Sequence, residues 1–253
     1  MIIPFTDTSA QPHVRGFLHQ PAQPNGSALI LTHGAGANCQ TKLLLAMADA
    51  FAATGVLVLR FDLPFRIERR FGPPRPGDAA RDRDGLRRAV LVIREQLAKI
   101  SPDTSDASPT KRATSQTPAA AEKSPPPQRV FLAGHSYGGR QSTILASEDS
   151  ALADALLLLS YPLHPPQKPA QLRTAHFPQL QTPAFFVHGT KDPFGTLAEM
   201  QSALQLLSAP HALFAVDGAA HDLLLKKAAG ELPLRVAGEF QQFVAKVSPP
   251  GKA

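Results

Sequence analysis

A series of apolar runs, each closing on a turn, constrains this chain more than any other feature. SALILTH (27–33), VLVLRFD (56–62), RVFLAG (129–134), ALLLLSY (155–161), AFFVHG (184–189) and ALFAVDG (212–218) are apolar at consecutive rather than alternate positions. That pattern suits strands buried on both faces. Helix-like segments lie between them. KLLLAMADAFAATG (42–55) closes on glycine, and 78–100 sets Leu86, Val90, Ile93 and Leu97 at helical spacing. Residues 137–148, 196–207 and 231–247 have the same character. Repeated strand–helix units predict an α/β fold, a mostly parallel central sheet with helices on both faces. IIPFT and VRGFLHQ, near the N-terminus, predict an antiparallel edge hairpin, and Pro64 with FGPPRPGD predicts a loop after residue 62.

The remaining composition narrows the function classes. A chain of 253 residues is expected to form one domain, 1–253, interrupted at 101–128 by a stretch rich in Pro, Ser, Thr and Ala. Without large apolar side chains, that stretch cannot offset its ordering entropy and is expected to be a flexible insertion. The N-terminus lacks a basic start and an apolar core of leader length, and no run approaches the ~18 apolar residues of a membrane span. Cys39 is the lone cysteine. A soluble, cytoplasmic protein with no membrane partner is expected. The formal charge is +6, with arginines crowded between Arg66 and Arg88. Acids interleave with them, and no nucleic-acid-binding signature accompanies them, so a salt-bridged surface is expected and nucleic acid is not. No metal-ligand spacing is present and no cofactor is expected.

The strand exits carry the chemistry. In AGHSYGGR, Ser136 falls between an apolar run and a helical one, on a Gly-x-Ser-x-Gly turn that would stand its hydroxyl clear of a sheet. Serine needs a base to become a nucleophile. Of the 9 histidines, His221 follows the last apolar strand in the small-residue loop DGAAHD, from which an imidazole can reach across. Asp192, at the exit of AFFVHG, is the expected acid, with Asp217 and Asp222 as rivals. The order Ser136, Asp192, His221 is that of α/β-hydrolases. Oxyanion donors are expected from the N–H groups of Ala35, in HGAGAN, and Tyr137. His33 is expected to hold its loop by hydrogen bonds. Phe65, Tyr161 and His164, near strand exits, are expected to line the substrate pocket.

LTHGAGAN, RFDLPF, AGHSYGGR, LSYPLHPP, FFVHGTKDPFG and DGAAHD together resemble the α/β-hydrolase superfamily, in its dienelactone-hydrolase-like branch. GHSYGGR, YPLHPP and GTKDPFG resemble a narrower group. It includes bacterial proteins and the hydrolase-like subunit of the NSL histone acetyltransferase complex. The resemblance implies a Ser136–Asp192–His221 triad with Ala35 and Tyr137 at the oxyanion. Dienelactone hydrolases proper use cysteine where this chain has Ser136, so dienelactone is not the expected substrate. The segment 162–183 is too short for a separate cap domain and is expected to be an ordered loop over the site. The expected function is a serine hydrolase, esterase-like, acting on a small-molecule ester, thioester or similar acyl bond. The alternative is a non-catalytic interaction module that keeps the fold.

Overall fold

Five of the six apolar runs become the interior of one sheet, whereas the run at 212–218 becomes a partly exposed strand at its edge. In the computed structural model, which describes residues 1–100, 128–224 and 230–247, the strands are β1 (Ile2–Asp7), β2 (Val14–His19), β3 (Ser27–Thr32), β4 (Leu57–Phe61), β5 (Arg129–His135), β6 (Ala155–Leu159), β7 (Ala184–Gly189) and β8 (His211–Val216). Their spatial order is β1-β2-β4-β3-β5-β6-β7-β8. β1 and β2 form the expected antiparallel hairpin, and β2 also runs antiparallel to β4. Every other pairing is parallel. The insertion expected at 101–128 lies, except for Gln128, outside the described residues.

The helices are α1 (Lys42–Ala53), α2 (Pro64–Glu68), α3 (Asp78–Ile100), α4 (Tyr137–Glu148), α5 (Leu197–Leu204) and α6 (Glu231–Val247). Side chains alternate across a strand, so each apolar strand feeds two cores. Leu57, Leu59 and Phe61 of β4 pack with α3, α4 and α5 on one face. Val58, with Phe185 and Val187 of β7, packs with α1 and α6 on the other. Continuous hydrophobicity is therefore required, because neither face of the central strands meets water. No described helix is long and apolar enough to cross a membrane.

Local signals fix the helix ends. Thr41 caps α1 by accepting from the Leu44 N–H at 3.4 Å. Thr196 and Glu199 form a reciprocal capping box on α5. The loop expected from Pro64 is instead the short helix α2, and the Pro/Gly-rich loop starts only after it. Proline at the first helical position lacks only an N–H that would have no intrahelical partner, and its φ is already helical.

The topology creates the site. From β3 the chain moves outward to β4 and then returns to place β5 on the other side of β3. The turns leaving β3 and β5 therefore diverge from neighbouring strand ends, a switch point where open α/β sheets bind ligands. Register pairs Thr32 with Gly134, so the loops that begin at His33 and His135 emerge side by side.

Candidate active site

Ser136 sits between β5 and α4 with φ 51° and ψ −114°, a left-handed conformation that a serine adopts only at a cost. The surrounding glycines make that turn possible. A Cβ on Gly134 would stand 2.3 Å from the Gly139 nitrogen, and one on Gly138 would meet the His33 carbonyl oxygen at 2.7 Å. The motif's glycines thus allow α4 to approach β5 and the β3 exit closely.

Three expected residues converge there. The Ser136 hydroxyl lies 2.8 Å from His221 Nε2. His221 Nδ1 faces both oxygens of Asp192, at 2.8 Å and 3.0 Å. Facing a carboxylate, Nδ1 carries the proton, which leaves Nε2 as acceptor for the serine hydroxyl. The Asp192 side chain is fully enclosed, and its Oδ1 also accepts from the Phe194 N–H at 2.8 Å. The rival acids bond elsewhere. Asp217 accepts from the Thr190 hydroxyl, and Asp222 accepts from the Leu224 N–H.

Ala35 and Tyr137 line the same cleft. Tyr137 is the first residue of α4, so its N–H has no carbonyl within the helix to bond. The Ala35 loop is braced from below. His33 accepts the Leu63 N–H at Nε2 (3.1 Å) and donates from Nδ1 to the Gly34 carbonyl (2.9 Å), as expected of a loop-holding histidine. Burial holds its pKa down at about 4, so it stays neutral.

Phe65, Tyr161 and His164 are not among the residues that line the cleft. Phe65 is wholly buried under the loop, edge-on to Tyr137 and beside His33. Tyr161 is buried against Phe177 and Phe186, and its hydroxyl donates to the Arg173 carbonyl at 2.6 Å. His164 is turned toward the Pro165 carbonyl and Glu199. Proximity to a strand exit places a side chain near the site, but these pack beneath it.

Other residues shape the site without a local sequence signal. The Phe194 ring lies over the His221 imidazole, with centroids 4.1 Å apart and planes tilted 31°. His135 donates from Nε2 to the His221 carbonyl at 2.8 Å, and burial lowers its pKa to about 4. Arg66 donates to four carbonyls, those of Ala35, Ala37, Arg69 and Gly72. Five of the seven other crowded arginines, Arg69, Arg81, Arg83, Arg87 and Arg88, are paired to acids as the charge pattern predicts, while Arg70 lies over the Phe71 ring. The cleft itself is about 440 Å³ and is completed by Arg140, Pro162 and Arg173. Among the described residues no cluster of His, Cys, Asp and Glu could hold a metal.

The arrangement can move a proton from a hydroxyl to an imidazole that a buried carboxylate orients, in a cleft that Ala35 and Tyr137 also line. The fold is shared with solved structures. A dienelactone hydrolase from Anabaena variabilis is 17% identical, covers 96% of this chain and 97% of its own, and superposes with a TM-score of 0.66. An α/β serine hydrolase homologue from Coxiella burnetii is 14% identical, with 97% of each chain covered and a TM-score of 0.64. An α/β serine hydrolase without lid from Xanthomonas campestris is 15% identical over 99% of this chain and 97% of its own, at 0.63. The family model described as "Alpha/beta hydrolase domain" matches residues 90–247, a span that includes the elbow serine, the acid and the histidine. This chain is a member of the α/β-hydrolase domain family.

Proposed function

We propose that the protein is a serine hydrolase that cleaves a carboxylic ester, thioester or similar acyl bond through an acyl-enzyme. The observation that carries this reading is the unbroken hydrogen-bonded chain from Ser136 through His221 to Asp192, opening on the cleft.

In the first half-reaction His221 Nε2 accepts the Ser136 proton as Oγ bonds to the substrate carbonyl carbon. The negative charge that develops on the carbonyl oxygen is met by the N–H groups of Tyr137 and Ala35, which need no reorganisation to receive it. Collapse breaks the bond to the leaving group, and His221 returns the proton to it. In the second half, water gives its proton to His221, attacks the acyl carbon and releases the acid, restoring the serine hydroxyl. Asp192 keeps His221 in the tautomer that can accept at Nε2 and stabilises the imidazolium in both halves.

The β6–β7 connection contributes only a 3₁₀ turn at Phe177–Gln179, so the described residues place no cap domain over the cleft. An open cleft of this size favours short acyl groups. The test pairs a fluorophosphonate probe with p-nitrophenyl esters of increasing chain length. Labelling of the wild type but not of Ser136→Ala, with activity falling beyond short chains, is expected. A folded wild type that takes no label would instead support an interaction module that keeps the fold. A preference for long chains would remove the short-acyl assignment.

A further inference from the structure

Two guanidiniums share the cleft with Ser136, and no Asp or Glu is among the described residues that line it. Arg140 stands one turn into α4, its N–H bonded to the Ser136 carbonyl at 3.0 Å, so it rises from the same end of the helix as the serine. Helical side chains lean toward the N-terminus, which carries its stem to the cleft it lines. Its Nε is buried without a hydrogen-bond partner, and its guanidinium makes no ion pair with any described residue.

Arg173 reaches the same cleft from the β6–β7 connection. Its main chain is fixed at both ends, the N–H bonded to the Leu163 carbonyl at 2.8 Å and the carbonyl accepting from the buried Tyr161 hydroxyl at 2.6 Å. Its side chain has only a long contact, 3.4 Å, to the Pro162 carbonyl. Burial first, and then the like charge of Arg140, pull the Arg173 pKa below its usual value. His176, a neighbour of Arg140, donates to the Thr143 hydroxyl and is held neutral, its pKa lowered to about 4 by burial and by Arg140. Asp192, enclosed behind the cleft wall, is already taken by His221.

Two half-buried cations that repel one another and lack an acid are costly unless something enters between them. The cleft also supplies the reacting serine, so the entering group belongs to the substrate. We infer that Arg140 and Arg173 form an anion subsite, and that the substrate is an acyl compound bearing a second, oxyanionic group, a carboxylate or a phosphate, away from the scissile bond. Guanidiniums match both groups in geometry and charge. Tyr161 is a positioning residue here, acting through the Arg173 main chain. The assignment deepens the hydrolase reading and rests on it for the identity of the bond cleaved.

The test separates binding from turnover. Folded Ser136→Ala protein is titrated calorimetrically with monomethyl glutarate, with methyl 4-phosphonooxybutanoate and with neutral dimethyl glutarate. At least one anionic ester is expected to bind about ten-fold or more tightly than the neutral one, the scale of a charge-assisted contact. The tighter of the two anions identifies the group as carboxylate or phosphate. Adding Arg140→Gln or Arg173→Gln should bring the anionic-to-neutral ratio toward one, with melting curves confirming the fold. Arg140 has no side-chain bond to any described residue to lose. Ratios near one in the Ser136→Ala protein, or ratios unmoved by both glutamine variants, overturn the subsite. Fluorophosphonate labelling of wild type reports separately on the hydrolase. Labelling with a ratio near one removes the subsite alone, whereas anion preference without labelling keeps the subsite and removes the hydrolase.

Discussion

Arg66 Nη2 donates to the Ala35 carbonyl at 3.0 Å, which ties an arginine of the crowded segment to the loop that faces Ser136. The same guanidinium holds the Ala37 carbonyl at 2.7 Å and the Gly72 carbonyl at 2.9 Å. One side chain thereby fixes the loop on both sides of Gly36, next to the peptide that would present the Ala35 N–H to an oxyanion. A lysine, with a point charge and no planar fork, cannot reproduce this set. Arg66→Lys is expected to lower kcat on p-nitrophenyl acetate by roughly 10–100-fold, below the loss typical of deleting an oxyanion donor outright. KM should change less. Unchanged kcat in a variant with a lowered melting point would show that the clamp serves stability only.

The Tyr137 side chain has a task separate from its N–H. Its hydroxyl donates to Asp82 Oδ2 at 2.7 Å, while Asp82 Oδ1 accepts from the Phe65 N–H at 3.0 Å. Burial pushes the Asp82 carboxyl above the usual carboxylate range, and these two donors partly offset it. A raised folded pKa means that the folded protein holds the proton more tightly, so this group's contribution to stability falls as pH rises through that pKa. Tyr137→Phe removes one donor and raises the carboxyl further. It should cost about 1–3 kcal/mol at neutral pH, and less where Asp82 is protonated. Denaturant melts at pH 4 and pH 7 read the difference. A cost that does not grow with pH would contradict this account of Asp82.

Much of this was legible in the sequence because the information was local. Ser136 directly follows an apolar strand, Asp192 and His221 lie in the loops that leave two others, and in a parallel sheet all such exits lie at one edge. The walls of the cleft were not legible, because they depend on which side of an exit a side chain turns. Phe65 and Tyr161 turn inward under the loops, where aromatic area is buried. Arg140 lies within the motif itself, yet its lack of a partner emerges only when the elements around it are in place. Arg173, Phe194 and His135 reach the site through contacts that no spacing encodes. Pro64 misled for a different reason, since proline both breaks helices and starts them.

His33, His135 and His176 make the fold acid-sensitive. Each has a pKa lowered to about 4 by burial, against an ordinary value of 6.5. Between those limits the unfolded chain binds protons that the folded one refuses, so their contribution is full above pH 6.5 and is lost as pH falls toward 4. Stability should drop over that window by on the order of 1–2 kcal/mol or more. His135→Gln keeps an N–H for the His221 carbonyl but does not titrate. The pH dependence of its melting point should therefore be shallower than that of wild type. Identical slopes would remove His135 from the explanation.

The sharpest discrimination concerns the acid. Asp222 adjoins His221 in sequence and is exposed, whereas Asp192, twenty-nine residues away, is the carboxylate at its Nδ1. In Asp192→Asn an amide nitrogen can turn toward Nδ1 and favour the tautomer with the proton on Nε2. That tautomer cannot accept from Ser136. The expected loss in kcat is roughly 10³–10⁴-fold, the scale typical when the imidazole is held in the wrong tautomer. Asp222→Asn and Asp217→Asn, whose carboxylates bond to Leu224 and Thr190, should stay within about two-fold of wild type, as surface substitutions usually do. The measurement is kcat on p-nitrophenyl acetate alongside the rate of fluorophosphonate labelling, which depends on the same activated serine. If Asp192→Asn labels as fast as wild type, or if Asp222→Asn is the slower variant, the orienting role belongs elsewhere.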